Sequence, residues 1–217
     1  MLDKNAVARG ILDSIGAAPC IDVPYRHWLL ENLFAADVIS ALDTVPFPKP
    51  DTLEISGSRE VNNASRLYFD KDNQAKYEVC ASIANALQDK TVTDRISDFY
   101  GIDLSGTYLR IEYAQDGEGF WLEPHTDIGV KAFTMLAYLS AEQETGLGTD
   151  IYSDPSTLVT RTPFGPGKAL VFIPSNNTYH GFTKRPIEGL RRSIIINYVT
   201  DDWRAREQLA FPDQPIT

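Results

Sequence analysis

Residues 124–140 read Pro-His-Thr-Asp-Ile-Gly-Val-Lys-Ala-Phe-Thr-Met-Leu-Ala-Tyr-Leu-Ser. From Ala132 to Ser140 the pattern is that of a strand, on which alternate residues share a face. Phe133, Met135, Ala137 and Leu139 make an apolar face, while Thr134, Leu136, Tyr138 and Ser140 make one that carries hydroxyls. The start of the stretch sets an imidazole, His125, two residues before a carboxylate, Asp127. Such a triplet by itself is a pairing that chance supplies. Its meaning depends on the rest of the chain.

Strand-like runs continue on both sides, at Tyr108–Tyr113, Thr149–Tyr152, Ala169–Ile173 and Arg192–Val199. Between them lie turn signals: Asp116-Gly117, Gly146-Leu147-Gly148, Pro163 to Gly167 and Pro174 to Asn177. Many short strands without intervening helices predict an antiparallel barrel or sandwich. The first hundred residues differ. Val7, Ile11, Leu12 and Ile15 predict a helix over 4–15 with Asp3 as its cap. Helical spacing recurs from Trp28 through Leu29, Leu30, Leu33, Val38, Ile39 and Leu42, and again over Asp72–Leu87 and Thr91–Tyr100, the last closed by Gly101. Two further strand-like runs, Thr52–Ile55 and Arg66–Phe69, interrupt the helices. Helices first and strands second predict an α+β domain with the helices packed on one sheet. The 217 residues fit one domain: 1–104 mainly helical support with two strands, 105–200 the β core, and 201–217 a C-terminal tail.

Composition narrows the class. With 43% hydrophobic and 23% charged residues the chain is ordinarily globular. A net charge of −10 argues against nucleic acid and anionic membranes as partners. The two cysteines, Cys20 and Cys80, lack metal-binding spacing and are expected as reduced thiols. No run approaches the ~20 apolar residues of a membrane span, and the N-terminus has no secretory signature. These features predict a soluble, cytoplasmic protein.

Of three histidines, His27 sits beside Arg26 and Trp28 and is read as structural or solvent-exposed. His180 follows the Ala169–Ile173 run and its turn. A β-roll brings strands distant in sequence to one mouth, where His125, Asp127 and His180 could meet. Two imidazoles and one carboxylate form the facial set that holds Fe(II) and leaves coordination positions open. The run 191–199 then divides by parity: Arg191, Ser193, Ile195 and Asn197 against Arg192, Ile194, Ile196 and Tyr198. The first face is polar enough to line a cavity. Arg191 with Ser193 is therefore the expected carboxylate anchor, and a slip of one residue would substitute Arg192. Tyr138 either donates to the same carboxylate or is an amphipathic core residue, and Tyr113 is a weaker example of the same choice.

This constellation resembles the Fe(II)/2-oxoglutarate-dependent dioxygenase superfamily, in its prolyl-hydroxylase-like branch. The matching marks are His125-x-Asp127, the distal His180, and Arg191-x-Ser193 on the following strand, with the approach Tyr113, Gly119-Phe120 and Pro124. They cover roughly residues 105–200. The resemblance implies a double-stranded β-helix, a jelly-roll or cupin-like barrel. It implies Fe(II) on His125, Asp127 and His180, and 2-oxoglutarate held by Arg191, Ser193, Tyr138 and Tyr113. Oxygen would be the second co-substrate and ascorbate an accessory reductant. The implied reaction releases succinate and CO2 and hydroxylates a C–H bond; desaturation and epimerisation draw on the same chemistry. The presence of Asp127 fits hydroxylation rather than halogenation.

A small molecule is the expected substrate, with a protein side chain as the alternative. Trp121 and Arg110 are assigned to the substrate side, and the acidic Glu112, Glu118 and Glu123 suggest a cationic or hydroxylated ligand. Two readings of other classes compete: a non-catalytic β-barrel binding module, and a cupin-type metalloenzyme that needs no Arg191.

Overall fold

The strands that carry these residues lie in two antiparallel sheets. The computed structural model describes residues 3–48, 57, 66–127, 129–140 and 146–217. The run expected as a strand over 52–55 lies outside them. In chain order the elements are α1 (Lys4–Ala17), β1 (Cys20–Ile21), β2 (His27–Leu30), α2 (Ala36–Asp43), β3 (Leu67–Tyr68), α3 (Lys71–Lys76), α4 (Glu78–Gln88) and α5 (Lys90–Tyr100). There follow β4 (Tyr108–Asp116), β5 (Leu122–His125), β6 (Lys131–Tyr138), β7 (Asp150–Asp154), β8 (Thr157–Arg161), β9 (Ala169–Phe172), β10 (His180–Phe182) and β11 (Arg191–Val199).

One sheet runs β1-β2-β9-β6-β11-β4-β3 and the other β5-β10-β7-β8. The last strand thus pairs with the first and third of the β half, and the penultimate strand with the second and fourth. This winding brings His125 directly opposite His180, as Cα partners on β5 and β10. Gly181 permits the approach. A Cβ there would lie 2.8 Å from the Leu122 carbonyl oxygen, a backbone atom with little room to yield.

The helices cover the outer face of the larger sheet. Asp3 caps α1 by accepting from the Asn5 amide at 2.9 Å, and Val7, Ile11 and Ile15 turn inward at helical spacing. They join Val79, Ile83 and Leu87 of α4, Ile96 of α5, and Leu109, Ile111, Phe133, Met135, Ile194, Ile196 and Tyr198 of the sheet in one buried cluster. The Tyr198 hydroxyl donates to the Leu87 carbonyl at 2.5 Å, tying β11 to α4. A second cluster, with Leu136, Ile151, Leu170, Phe172 and Ile195, fills the space between the sheets. Gly101, at φ 70°, ends α5 in the left-handed conformation expected of it.

Three expectations change. The segment from Trp28 to Leu30 is strand, paired with β9, although its leucines recur at helical intervals. A strand covered on both sides reads as an unbroken apolar run, and spacing alone does not separate it from a helix. The helix expected over 72–87 is two, broken at Tyr77, whose backbone is extended (φ −127°, ψ 110°) and whose ring packs edge-on to Phe47. Residues 201–217 are more than a tail: Leu209, Ala210 and Ile216 are buried, and the Ala210 amide donates to the Leu109 carbonyl on β4. No described helix is long and apolar enough to cross a membrane.

Candidate metal centre

His125 ends β5, Asp127 follows two residues later, and His180 begins β10. One potential ligand atom from each lies within 4.8 Å of the others, and the two imidazole centroids are 4.4 Å apart. The rings are held alike. Nδ1 of His125 bonds the Glu123 carbonyl at 2.8 Å, and Nδ1 of His180 bonds the Thr178 carbonyl at 3.0 Å. A carbonyl only accepts, so Nδ1 carries a proton on each ring, which leaves Nε2 as the nitrogen for a metal. Burial pushes His180 down to about 4, against the opposing pull of the Asp127 charge. Its imidazole is therefore neutral, as a ligand must be.

Asp127 is fixed from both oxygens. Oδ2 accepts from the Thr134 hydroxyl at 2.6 Å and Oδ1 from the Lys131 ammonium at 2.5 Å. Burial would raise its pKa, but the Lys131 charge, His180 and these hydrogen bonds outweigh it and hold the carboxyl below its ordinary range. Two imidazole nitrogens and one ionised oxygen suit a divalent first-row metal, and the donor set fits Fe(II).

The same three residues line a cavity of about 360 Å³, whose wall also includes Arg191, Thr149, Lys131, Arg110 and Trp203. Parity on β11 is as expected. Arg191 faces the cavity and is buried, whereas Arg192 turns to the helices and pairs with Asp43 at 2.6 Å. Arg191 is oriented by its own cross-strand partner: Nη1 donates to Asp116 at 2.5 Å and Nε to the Leu147 carbonyl at 2.7 Å. Its guanidinium carbon also lies 4.7 Å from the centroid of the Phe182 ring.

The other expected site residues are placed less simply. Ser193 shares the face of Arg191 but pairs across to Tyr138 and Ala114 and does not line the cavity. Tyr138 is wholly buried, and its hydroxyl is taken up by the hydroxyls of Thr149 (2.8 Å) and Thr162 (2.7 Å). It stands behind the cavity wall. Tyr113 lies on the helix side of β4, in contact with Phe47, because its neighbours Glu112 and Arg110, not Tyr113 itself, have the inward parity. Trp121 is likewise absent from the lining. It packs so closely on Gly57 that a Cβ there would meet its ring at 2.3 Å. His27 is buried in β2 with Nδ1 on the Tyr25 carbonyl, and is structural.

Sequence reasoning overlooked Thr134, Lys131, Asp116, Thr149 and Trp203. For Thr134 a signal existed, since it shares the hydroxyl-bearing face of β6. For Asp116 and Trp203 the relevant contacts are non-local, and nothing near them in the sequence marks them.

No family model matches the chain, and no curated protein matches it. Solved structures do. A prolyl hydroxylase from Trichoplax adhaerens, in complex with a hypoxia inducible factor oxygen degradation domain peptide fragment, aligns over 93% of both chains with TM-score 0.58 and 14% identity. A Pseudomonas putida prolyl-4-hydroxylase aligns over 89% of this chain and 98% of its own, with TM-score 0.55 and 16% identity. The non-heme alpha-ketoglutarate-dependent epimerase SnoN from nogalamycin biosynthesis aligns over 91% of this chain and 84% of its own, with TM-score 0.51 and 11% identity. The chain shares the fold of the prolyl hydroxylases and of other 2-oxoglutarate–Fe(II) oxygenases.

Proposed function

We propose that the chain is an Fe(II)- and 2-oxoglutarate-dependent dioxygenase that hydroxylates a C–H bond of a small molecule, with release of succinate and CO2. One observation carries this reading: His125, Asp127 and His180 converge to within 4.8 Å in a cavity that Arg191 also lines. The strand order supports it, since β11 between β4 and β6 and β10 between β5 and β7 is the interleaving that a double-stranded β-helix requires.

In this reading Nε2 of both histidines and the Asp127 carboxylate hold Fe(II). The metal, with its co-substrate, supplies oxygen activation. The chain supplies position. Lys131 and Thr134 fix the Asp127 carboxylate, and the carbonyls of Glu123 and Thr178 fix the rings. Arg191, held by Asp116 and Leu147, presents a preoriented guanidinium to the distal carboxylate of 2-oxoglutarate. Arg191 thereby also separates this reading from a cupin-type metalloenzyme. Cys20 and Cys80 are free thiols, which fits a reducing compartment and supports a cytoplasmic site of action.

A protein side chain is the second reading. It is favoured by the prolyl hydroxylases among the similar structures, one of which is bound to a peptide. Succinate release tests both, measured with Fe(II), 2-oxoglutarate and either small metabolites or proline-containing peptides. The proposal expects release above background with a metabolite. Release with peptides alone would favour the second reading, and no turnover of 2-oxoglutarate under any condition would overturn both.

A further inference from the structure

One wall of the metal-site cavity contains a second buried arginine, Arg110, which the coordination chemistry does not use. Its guanidinium is clamped between two aromatic rings, with its carbon 4.8 Å from the Tyr68 centroid and 4.9 Å from that of Trp203. In the plane it is held by three partners. Nε donates to Gln208 at 2.9 Å, Nη1 to Asn197 at 3.1 Å, and Nη2 to Glu112 at 2.7 Å. A guanidinium has five N–H groups. Three are committed, so one on Nη1 and one on Nη2 remain. The group is 4% exposed and cannot swing out to water, yet it lines the cavity together with Trp203, Leu136 and Ile195.

Glu112, which the sequence suggested as a contact for a cationic ligand, accepts instead from Arg110 and forms an ion pair with Arg66 (Nε to Oε1, 3.2 Å). Glu118 is likewise committed, accepting the Ile187 amide at 2.9 Å. Two of the three acidic groups near the motif therefore serve the protein, Glu123 remains on the cavity wall, and Arg110 is a buried basic group on that same wall.

We propose that Arg110, braced by Tyr68 and Trp203, is the substrate's recognition group, and that the substrate bears a carboxylate. The remaining N–H groups, one on Nη1 and one on Nη2, lie in one plane and can donate to the oxygens of a carboxylate. The bracing means that little freedom is lost when the ligand arrives. Trp203 and Gln208 come from the C-terminal segment, so that segment completes the substrate side of the cavity. The inference rests on the oxygenase reading of the triad and names the substrate class within it: a small organic acid rather than an internal residue of a peptide.

The test is anaerobic calorimetry on the protein loaded with Fe(II) and saturating 2-oxoglutarate. The probes are free L-amino acids and their N-acetyl forms, each paired with its carboxamide, which has the same shape but lacks the carboxylate charge. Acids are expected to bind about 10- to 100-fold more tightly than their amides, as a charged hydrogen-bond pair is worth. Arg110→Met is expected to bring the acids down to the level of the amides. The comparison of acid with amide on the unaltered protein needs no variant, so it stands even if Arg110→Met does not fold. Amides binding as well as acids, or no acid binding to a complex that does hold 2-oxoglutarate, would overturn the inference. Failure of the iron-loaded protein to bind 2-oxoglutarate at all would instead overturn the oxygenase reading beneath it.

Discussion

On β11, Ile194, Ile196 and Tyr198 pack against the helices, while Arg191, Ser193, Ile195 and Asn197 face the four-stranded sheet. Its neighbours repeat the division. Leu109, Ile111 and Tyr113 of β4 and Phe133 and Met135 of β6 belong to the helix-side cluster. Arg110, Glu112 and Thr134, from the same two strands, line the cavity. One surface of the sheet is joined to the helices almost wholly by apolar packing. The other holds buried charge, each group fixed by a named partner. Residues one position apart therefore differ in what they contribute, and substitution of adjacent residues should separate stability from binding.

The largest effect is expected at Arg191. Arg191→Met removes the guanidinium and leaves the Asp116 carboxylate buried beside it without its cation. Breaking a buried pair in this way costs about 3–5 kcal/mol of stability, and 2-oxoglutarate affinity should fall by roughly 10- to 100-fold. Arg192→Met, one residue along, removes only a partly exposed pair with Asp43. It should cost about 1 kcal/mol or less and leave 2-oxoglutarate binding unchanged. Urea melts and ligand titrations of both variants check this, and equal losses of binding would erase the distinction between the faces.

Ile196→Ala comes next. This side chain is completely buried among the helix-facing residues, so the loss of its methyl groups and the cavity left behind should destabilise the protein by about 2–5 kcal/mol. Ligand affinity of the folded fraction should be unaltered. A parallel loss of affinity would mean that the two faces are coupled.

The smallest effect concerns the thiols. Burial, aided by the Asp70 charge, pushes Cys80 up to about 12, whereas Cys20 is exposed. A thiol whose folded pKa is raised contributes stability that is complete below its unfolded value, near 8.5, and is lost as pH rises through the folded value. Stability should accordingly fall from about pH 9 upward, and replacing Cys80 by Ala should lessen the fall. At neutral pH an alkylating reagent should modify Cys20 quickly and Cys80 only on unfolding, as mass spectrometry would show.

Much of this arrangement was legible in the sequence, because parity on a long strand is a local property. Alternation along β11 put Arg191 and Arg192 on opposite faces and favoured Arg191, although only the register could settle which of them turns inward, and the Asp3 cap and Gly101 terminus of two helices carry their own signals. Shorter elements were not legible. β10 has three residues, too few for a period, and β5 contains Pro124, which reads as an interruption although an edge strand tolerates it. Tyr138 has the inward parity of a ligand-binding hydroxyl, yet its oxygen is satisfied by two threonines distant in sequence. The roles of Asp116, Trp203 and Gln208 likewise arise only from cross-strand and C-terminal contacts. Side-chain direction follows from the strand, but partnership follows from topology.

The central claim is that His125, Asp127 and His180 form one iron site. Anaerobic titration of the protein with Fe(II), followed by 2-oxoglutarate, tests it most directly. The account predicts one iron per chain, binding of 2-oxoglutarate that requires the iron, and loss of both in Asp127→Ala and His180→Ala variants that still fold. Absence of iron binding by the unaltered protein, or undiminished binding by those variants, would contradict it.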